Sequence, residues 1–276
     1  RMSTFTGKFK ESKDFKKYSS SSMESEEINK KAWDNECRNN NYWTQIVKKE
    51  EIDNARKGNA NVRVTTSKAI PSSWIEKTKG KKTLVLCGGG GQQTPLLAAY
   101  GAMVTSLDIS PMQIEQDKKA LKEYSLNGEC IVGSALSLPF EDSSFSTIIN
   151  PISLNFVPSL DKAYNEIDRV LEHGGYFMMG IANPVLYIFD EKKQKKKLKV
   201  KYTLPFSTEK AFSTRELEKK AKNYDTYEYS YTLEEIIGGL LKRGFTLIDF
   251  FTDKADSEPT DSFIYDSFLA FLFKKE

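Results

Sequence analysis

The hydrophobic pattern of this chain alternates between short apolar runs, typical of buried strands, and segments with helical periodicity. Strands are predicted at residues 83–87, 102–107, 129–132, 145–149, 175–181, 245–251 and 263–273. Helices are predicted at residues 93–100, 111–123, 160–171 and 232–243. Such alternation favours a parallel sheet with helices on both faces, whereas the last two strands, joined without a helix, should pair antiparallel. We therefore expect an α/β protein with a seven-stranded, mostly parallel sheet and one antiparallel strand.

Three segments stand outside this alternation. Residues 1–22, rich in Lys and Ser, have the composition of a flexible lead-in that need not be native, with Met23 as a candidate start; the alternative is a docking tail. Residues 24–75 open with a helical pattern that breaks at residues 39–41, and they are predicted to form an N-terminal helical cap. Residues 183–229 are predicted to be an insertion that covers the site as a lid. Its Lys-rich stretch, residues 192–199, indicates a solvated hairpin or loop, or else a contact for an anionic partner.

Composition and charge narrow the function classes. The chain has 276 residues, 39% of them apolar, and no apolar run near the ~18 residues that a membrane span needs, so we expect a soluble protein with one core. The formal charge is +3, but residues 1–22 carry six basic and only two acidic side chains, so the remainder is close to neutral. A nucleic-acid partner is therefore not expected, because no basic field outside the lead-in would hold a phosphate backbone.

The cysteines indicate the compartment. Cys37, Cys87 and Cys130 are too few and too scattered for a disulfide framework or a zinc site. The N-terminal residues also lack the apolar segment of a secretory signal. We therefore predict a cytoplasmic protein without a metal.

The strongest chemical signal is a run of four glycines, Gly88 to Gly91, between a predicted strand and a predicted helix. Glycines let the backbone approach a ligand, since a Cβ atom would occupy the ligand's space, but their spacing does not fit the dinucleotide fingerprint. Asp108 ends the next strand, seventeen residues after Gly91, where a carboxylate can accept both hydroxyls of a ribose. Alone, Asp108 would serve equally well as a helix cap. Together with the glycines it predicts a nucleoside ligand without a pyrophosphate.

Three further strings complete the pattern. They are Val104-Thr105-Ser106-Leu107-Asp108-Ile109-Ser110-Pro111, Arg169-Val170-Leu171-Glu172-His173-Gly174-Gly175 and Asn183-Pro184-Val185-Leu186-Tyr187. With Gly88-Gly89-Gly90-Gly91-Gln92-Gln93 they resemble the class I S-adenosylmethionine-dependent methyltransferases, and in particular a bacterial small-molecule subfamily with a Cys-Gly-Gly-Gly-Gln-Gln string. The resemblance covers residues 31–251 and implies a Rossmann-like three-layer sandwich, with residues 23–276 forming one domain.

The resemblance implies S-adenosylmethionine as cofactor, S-adenosylhomocysteine as product, and a set of cofactor-binding residues. Gly89 and Gly91 would flank the methionine part, Asp108 would hold the ribose, and Ile109 would pack against the adenine. The full set is Cys87, Gly88, Gly89, Gly91, Gln92, Asp108, Ile109, Gln113, Ser134, Ala135, Leu136, Asn150 and Pro151.

Three positions depart from the superfamily pattern. Cys87 replaces its first glycine, and Val85 replaces an acidic residue, so that Gln92 or backbone carbonyls must hold the cofactor's amino group. Ser134 replaces the Asp that reads the adenine amine, a change that we expect to weaken affinity by about 1 kcal/mol. These departures leave a binding site in place.

Methyl transfer from a sulfonium is an in-line displacement that positioning and desolvation can drive without an obligatory base. The subfamily's two histidines are replaced by Asn150 and Tyr231, and His173, the single histidine, is interpreted as structural, so histidine catalysis is not expected. Candidate catalytic residues are Asn150, Tyr187 and Tyr231. Candidate acceptor residues are Tyr42, Trp43, Ser153, Asn155, Asn183, Tyr187 and Tyr231, although Trp43 and Tyr187 would fit core packing equally well.

The sequence thus predicts a methyltransferase for a small, partly apolar acceptor with a nucleophilic O, N or S atom, acting as a monomer or homodimer without nucleic acid or membrane. Two alternatives remain. One is a cofactor-binding protein that has lost catalysis, suggested by the missing acids and histidines. The other is a nucleic-acid or protein methyltransferase, which the near-neutral body of the chain disfavours.

Overall fold

The structure is a computed structural model that describes residues 18–190 and 197–276, with side chains from Glu24 onward. Residues 1–17 of the predicted lead-in and residues 192–196 of the Lys-rich stretch lie outside this part of the chain. The first helix begins at Tyr18, several residues before the predicted start of the helical cap.

One seven-stranded sheet forms the centre of the fold. Its strands are β1 (Lys82–Leu86), β2 (Met103–Asp108), β3 (Glu129–Val132), β4 (Phe145–Asn150), β5 (Leu171–Ala182), β6 (Phe245–Asp253) and β7 (Phe268–Lys275). Their order in the sheet is β3-β2-β1-β4-β5-β7-β6. Strand β7 runs antiparallel to both of its neighbours, and all other pairs are parallel. The predicted mostly parallel sheet with one reversed strand near its edge is confirmed.

Ten α-helices surround the sheet in the described residues. They are α1 (Tyr18–Arg38), α2 (Lys49–Arg56), α3 (Ser72–Ile75), α4 (Gln93–Tyr100), α5 (Pro111–Glu123), α6 (Leu160–Val170), α7 (Thr208–Ala211), α8 (Thr214–Lys222), α9 (Gly239–Leu241) and α10 (Thr260–Phe263). Local chemistry sets several of their ends. Ser110 caps α5 by accepting a hydrogen bond from Gln113 N–H (3.1 Å), with Pro111 in the first turn, and Gly101 ends α4 in the left-handed region.

Some elements differ from the prediction. The segment predicted as a helix at residues 232–243 contains a π-helical turn, Glu234–Gly238, before the short helix α9. The adjacent glycines Gly238 and Gly239 weaken regular helix formation there. The last strand begins at Phe268 rather than at residue 263, because the apolar side chains Phe263 and Tyr265 point to solvent and pack against no sheet.

Hydrophobic clusters cover both faces of the sheet. One is built around α6 and includes Tyr164, Phe177 and Phe271. The other includes Trp74 of α3, Ile52 of α2 and Leu97 of α4, so part of the predicted helical cap belongs to the core. The indole N–H of Trp74 also donates to Asp249 of β6 (2.8 Å). No helix in the described ranges is both long enough and apolar enough to cross a membrane.

Candidate cofactor and acceptor site

The glycine loop between β1 and α4 lines a cavity of about 550 Å³ at the carboxyl ends of the parallel strands. A Cβ atom on Gly88 would lie 2.8 Å from Val85 Cγ1, and one on Gly89 would lie 2.8 Å from Gln113 Cβ. Both approaches are too close for a side chain. The packing of the loop on its own protein therefore requires these glycines, so they do not by themselves prove a ligand.

Asp117 of α5 anchors the glycine loop from below. Its fully buried carboxylate accepts hydrogen bonds from Gly91 N–H (2.7 Å), Thr94 Oγ1 (2.8 Å) and Ser106 Oγ (2.5 Å). Burial raises the pKa of Asp117 to about 7, although these hydrogen bonds oppose the rise. Asp117 was not predicted from the sequence, because an Asp within a charged amphipathic helix has the pattern of a solvent-exposed position.

Asp108 ends β2 with its carboxylate in the cavity wall. It is 7% exposed, and it accepts hydrogen bonds from Ser110 N–H (2.9 Å) and Gly89 N–H (3.2 Å). Burial raises the pKa of Asp108 to about 6, against the effect of those hydrogen bonds. The neighbouring residue Ile109 lines the same part of the cavity, so an acidic and an apolar group lie side by side next to the glycine loop.

A bent segment outside the helices and strands that we call the strap, residues 62–68, forms a second wall. Ile152 N–H donates to Val64 O (3.1 Å), and Gly180 of β5 lets the strap approach closely, since a Cβ there would lie 1.8 Å from Val64 O. Asp253 of β6 holds the far end of the strap with hydrogen bonds from Thr65, Ser67 and Lys68. Arg63, Thr65 and Thr66 of the strap line the cavity.

The remaining walls are mostly apolar and come from four parts of the chain. Helix α1 supplies Glu26, Asn29 and Trp33; the segment after β4 supplies Pro151, Ile152, Ser153, Asn155, Phe156 and Val157; the segment after β5 supplies Leu186, Tyr187 and Phe189; and the insertion supplies Tyr202, Phe206 and Glu228. The charged lining residues in the described chain are Glu26, Arg63, Asp108 and Glu228. Three acids and one base thus face a space that the other lining residues leave uncharged.

Comparison with known proteins identifies this arrangement. A family model described as a methyltransferase domain matches residues 84–179, from β1 to β5. The solved structure of an S-adenosylmethionine dependent methyltransferase from Mesorhizobium loti has the same fold, with a TM-score of 0.58 over 74% of this chain and 97% of that one, at 14% identity. The uncharacterized methyltransferase YbaJ of Bacillus subtilis is 38% identical over 228 residues, which cover 82% of this chain and 89% of that protein. The chain belongs to the class I S-adenosylmethionine-dependent methyltransferases.

A demethylmenaquinone methyltransferase of Staphylococcus haemolyticus is a further relative of this methyltransferase. It is 35% identical over 130 residues, and this chain spans about half (53%) of its length. Two of the matched solved structures are described as S-adenosylmethionine dependent, which agrees with the cofactor that the sequence pattern predicts for this chain.

The structure brings many of the predicted site residues of the methyltransferase together around one cavity. The predicted residues that line it are Cys87, Gly88, Gly89, Gln92, Asp108, Ile109, Gln113, Ala135 and Pro151 from the cofactor set and Trp43, Ser153, Asn155 and Tyr187 from the acceptor set. Asn155 is already fully engaged, because its amide donates to Tyr229 O (3.0 Å) and accepts from Ala182 N–H (2.9 Å). It therefore shapes the wall and has no free polar atom to offer an acceptor.

Four predicted cofactor residues do not line the cavity, namely Gly91, Ser134, Leu136 and Asn150. Gly91 faces the N-terminal segment, where a Cβ would lie 2.9 Å from Ile46, and its N–H is bound to Asp117. Ser134 donates its hydroxyl to Glu26 instead. Leu136 packs against the core.

Asn150 lies beneath the cavity rather than in its wall. Its side chain is fully buried, and its amide donates to Leu86 O (2.7 Å) and Ser153 Oγ (2.7 Å). Its Oδ1 atom is buried and has no hydrogen-bond partner within the described ranges. Asn150 is therefore placed to hold Ser153, and it does not reach the cavity surface.

Tyr231, Asn183 and Tyr42 also lie outside the wall. The Tyr231 hydroxyl donates to Val157 O, and Tyr231 lines a separate cleft over α6, so it does not line the cavity and its catalytic role stays a prediction. Asn183 caps the turn Pro184–Ile188 by accepting from Val185 N–H (3.1 Å). Tyr42 is 59% exposed and packs edge-on against Trp43.

Several residues that line the cavity, above all Arg63, were not predicted from the sequence. In the strap, Arg63 lies between Val62 and Val64, which are both fully buried. In an alternating strand, Arg63 would point to the face opposite the buried valines and would be expected in solvent. The sequence around Glu26, Tyr202 and Glu228 has no pattern that indicates a binding site. They reach the cavity only because α1 and the insertion fold back over the sheet.

Proposed function

We propose that this methyltransferase transfers a methyl group to a small-molecule acceptor inside the cavity. The observation that carries the proposal is one continuous space of about 550 Å³ that joins Gly89 and Asp108 to the aromatic side chains of the insertion. A concave, largely apolar space of this size suits a small ligand rather than a polymer. The relatives named as demethylmenaquinone and botryococcene methyltransferases support a small acceptor as well.

The cavity wall fits S-adenosylmethionine. In this proposal Asp108 holds the ribose hydroxyls and Ile109 packs on the adenine, next to backbone that Gly88 and Gly89 keep free of side chains. Gln113 lines the cavity, and its buried Oε1 atom has no hydrogen-bond partner in the described chain, so a rotation of its side chain would offer this oxygen to the cofactor's amino group. The excess of acids over bases in the lining also favours a cationic sulfonium.

Arg63 is our candidate for the cofactor's carboxylate. It is the one cationic side chain among the described lining residues. The backbone N–H of Arg63 donates to Gln93 Oε1 (2.8 Å), and this bond places the strap beside the start of α4 and the glycine loop. Within the described ranges the guanidinium makes only long contacts, to Asn61 Oδ1 (3.4 Å) and Thr66 O (3.5 Å). A carboxylate placed there would replace these weak contacts with charge-assisted hydrogen bonds.

When bound, the cofactor supplies an electrophilic methyl group on a positively charged sulfur. The chain's residues then act mainly by holding the reacting groups in line and excluding water, effects that together account for roughly 7–11 kcal/mol of a barrier. Pro151 and Ser153 form the wall after β4, and Phe156 and Phe206 close it against solvent. The thiol of Cys87 is no competing nucleophile, because burial strongly raises its pKa and keeps it protonated.

Calorimetric titration with S-adenosylmethionine and S-adenosylhomocysteine tests the cofactor site. We expect binding that Asp108→Asn weakens. Incubation with methyl-labelled cofactor and a panel of amines, phenols, thiols and carboxylates then tests transfer. No binding at millimolar cofactor would refute the proposed site, and binding without transfer to any compound would favour the inactive cofactor-binding protein.

A further inference from the structure

The end of the cavity formed by the insertion contains an aromatic cage beside a carboxylate. We define the cage as the rings of Tyr187, Tyr202 and Phe206, all of which line the cavity. The ring centroids of Tyr187 and Phe206 are 5.4 Å apart, and those of Tyr202 and Phe206 are 5.3 Å apart with the planes at 66°. Glu228 lines the same end, and its Oε2 atom accepts a hydrogen bond from the Tyr187 hydroxyl (2.9 Å).

The backbone that carries Glu228 is fixed from two sides. Asn29 of α1 accepts from Tyr227 N–H (2.6 Å) and donates to Tyr227 O (2.9 Å). Glu228 N–H donates to Thr208 Oγ1 (2.8 Å), and Thr208 N–H donates to Glu228 O (3.0 Å). The backbone at Glu228 is thus held by these bonds, and its carboxylate is held by the Tyr187 hydroxyl (2.9 Å), a pre-ordering that favours electrostatic stabilisation.

The charges around the cage select the acceptor. If Arg63 pairs with the cofactor's carboxylate, the other charged lining residues of the described chain are Glu26, Asp108 and Glu228, all acidic. Aromatic faces attract cations through their quadrupole, and the cage already shows this, since Lys201 Nζ lies 4.8 Å from the Tyr202 ring centroid. Lys201 is ion-paired with Asp190 (3.6 Å) and is not a lining residue. Such a site disfavours an anionic acceptor and favours one that carries or develops positive charge.

We propose that the acceptor is a small amine methylated on nitrogen, and that the cage and Glu228 stabilise the positive charge on that nitrogen. This inference rests on the proposed methyl transfer in the cavity. The unprotonated nitrogen uses its lone pair to form the new C–N bond as the C–S bond breaks and sulfur keeps that bond's electron pair. Positive charge therefore leaves sulfur and appears on nitrogen beside Glu228, so the displacement itself needs no base.

Three probes of one shape and different charge test the cage. They are choline, the neutral 3,3-dimethylbutan-1-ol and the anionic 3,3-dimethylbutanoate, each titrated by NMR into protein saturated with S-adenosylhomocysteine. We expect choline to bind about tenfold more tightly than the alcohol, with the carboxylate weakest. Equal or tighter binding of the alcohol or the carboxylate, or no binding of choline, would overturn the inference.

Matched variants separate the charge from the rings. Glu228→Gln keeps an acceptor for Tyr187 and should reduce the preference for choline to about threefold or less. Tyr202→Leu should reduce it similarly, whereas Tyr202→Phe should keep it. Affinity for S-adenosylhomocysteine, measured on the same samples, should stay within about twofold. If cofactor binding is absent from the unmodified protein, the proposed function fails; if cofactor binds but the preference for choline is absent or survives Glu228→Gln, only the amine inference fails.

Turnover gives an independent readout. With methyl-labelled cofactor, N,N-dimethylbenzylamine should accept label while benzyl alcohol and benzoate do not. Label on benzyl alcohol or benzoate but not on the amine would contradict the inference even if choline binds.

Discussion

Replacement of Asp117 tests the idea that a buried carboxylate under the glycine loop shapes the cofactor site. Asp117→Ala would leave three buried donors without their acceptor, on Gly91, Thr94 and Ser106. At roughly 1 kcal/mol or more for each, the free energy of unfolding should fall by about 3 kcal/mol. Asp117→Asn is the matched control, because its amide oxygen can still accept from Gly91 N–H while the two hydroxyls reorient to accept from its NH₂ group. We expect this control to stay within about 1 kcal/mol of the parent protein at pH 5.

The pH dependence gives this test a sign. The pKa of Asp117 is about 7 in the folded protein against an ordinary value of 3.8, so the folded state binds the proton more tightly. The contribution of Asp117 to stability must therefore fall as pH rises from 4 to 7. From pH 5 to about pH 7 the folded state holds one proton more than the unfolded state, so the change between pH 5 and pH 8 amounts to about 3 kcal/mol. Asp117→Asn lacks this group, whereas Asp108 titrates in both proteins and cancels, so the variant should gain about 3 kcal/mol relative to the parent over this range.

Urea unfolding at pH 5 and pH 8, followed by tryptophan fluorescence, measures these differences, and calorimetry with S-adenosylhomocysteine reports on the loop. Asp117→Ala should also lose cofactor affinity, since Gly91 N–H is no longer held. A stability difference between parent and Asp117→Asn that does not change with pH would refute the assigned burial effect. Unchanged unfolding and unchanged cofactor affinity in Asp117→Ala would refute the anchoring role.

Three further predictions concern Arg63, Asp253 and Tyr231. Arg63→Ala should weaken S-adenosylhomocysteine binding about tenfold to a hundredfold in calorimetry, with Arg63→Lys between the two; equal affinities would refute the carboxylate assignment. Burial raises the pKa of Asp253, but hydrogen bonds from Lys68, Ser67 and Thr65 outweigh it and lower the pKa to about 2. Its stabilisation of about 2 kcal/mol should therefore be present above pH 4, vanish as pH falls towards 2, and be absent from Asp253→Asn in acid unfolding curves. In a labelled-cofactor assay, the methyl-transfer rate of Tyr231→Phe should stay within about threefold of the parent rate, and a hundredfold loss would instead support a catalytic role for Tyr231.

The sheet was predictable because each strand carries its own signal. Apolar runs mark β1 and β4, Ser110-Pro111 marks the start of α5, and the lack of a predicted crossover helix before β7 marks its reversal, since the connection contains only the four-residue helix α10. Asp108 was found for the same reason, since it directly follows a strand whose carboxyl end lies at the site. A residue's role could thus be predicted where it follows from the residue's position within one helix or strand.

The acceptor side could not be predicted in this way. Tyrosine is a residue type common in ligand pockets, but the hydroxyl of Tyr231 donates to Val157 O, 74 positions away in sequence. Glu228 is brought to the cavity by Asn29, from the other end of the chain, through hydrogen bonds across about 198 positions. Local pattern holds no information on such pairings, because the same residues would be compatible with many relative placements of α1 and the insertion.

Helix α1 shows why the two ends of the site are not independent. On the cofactor side, Asp34 accepts from Ser110 Oγ (2.6 Å) and Met112 N–H (3.2 Å) at the start of α5. On the acceptor side, Asn29 donates to Phe156 O (2.8 Å) as well as holding Tyr227. Asn29 and Asp34 are five positions apart, and Glu26 lies between these sides as the partner of Ser134. Because the same helix contacts both regions, a shift of α1 at the start of α5 would also disturb the Asn29 bonds that hold the backbone next to Glu228. The predicted cap is therefore a wall that the cofactor end and the acceptor end of the cavity share.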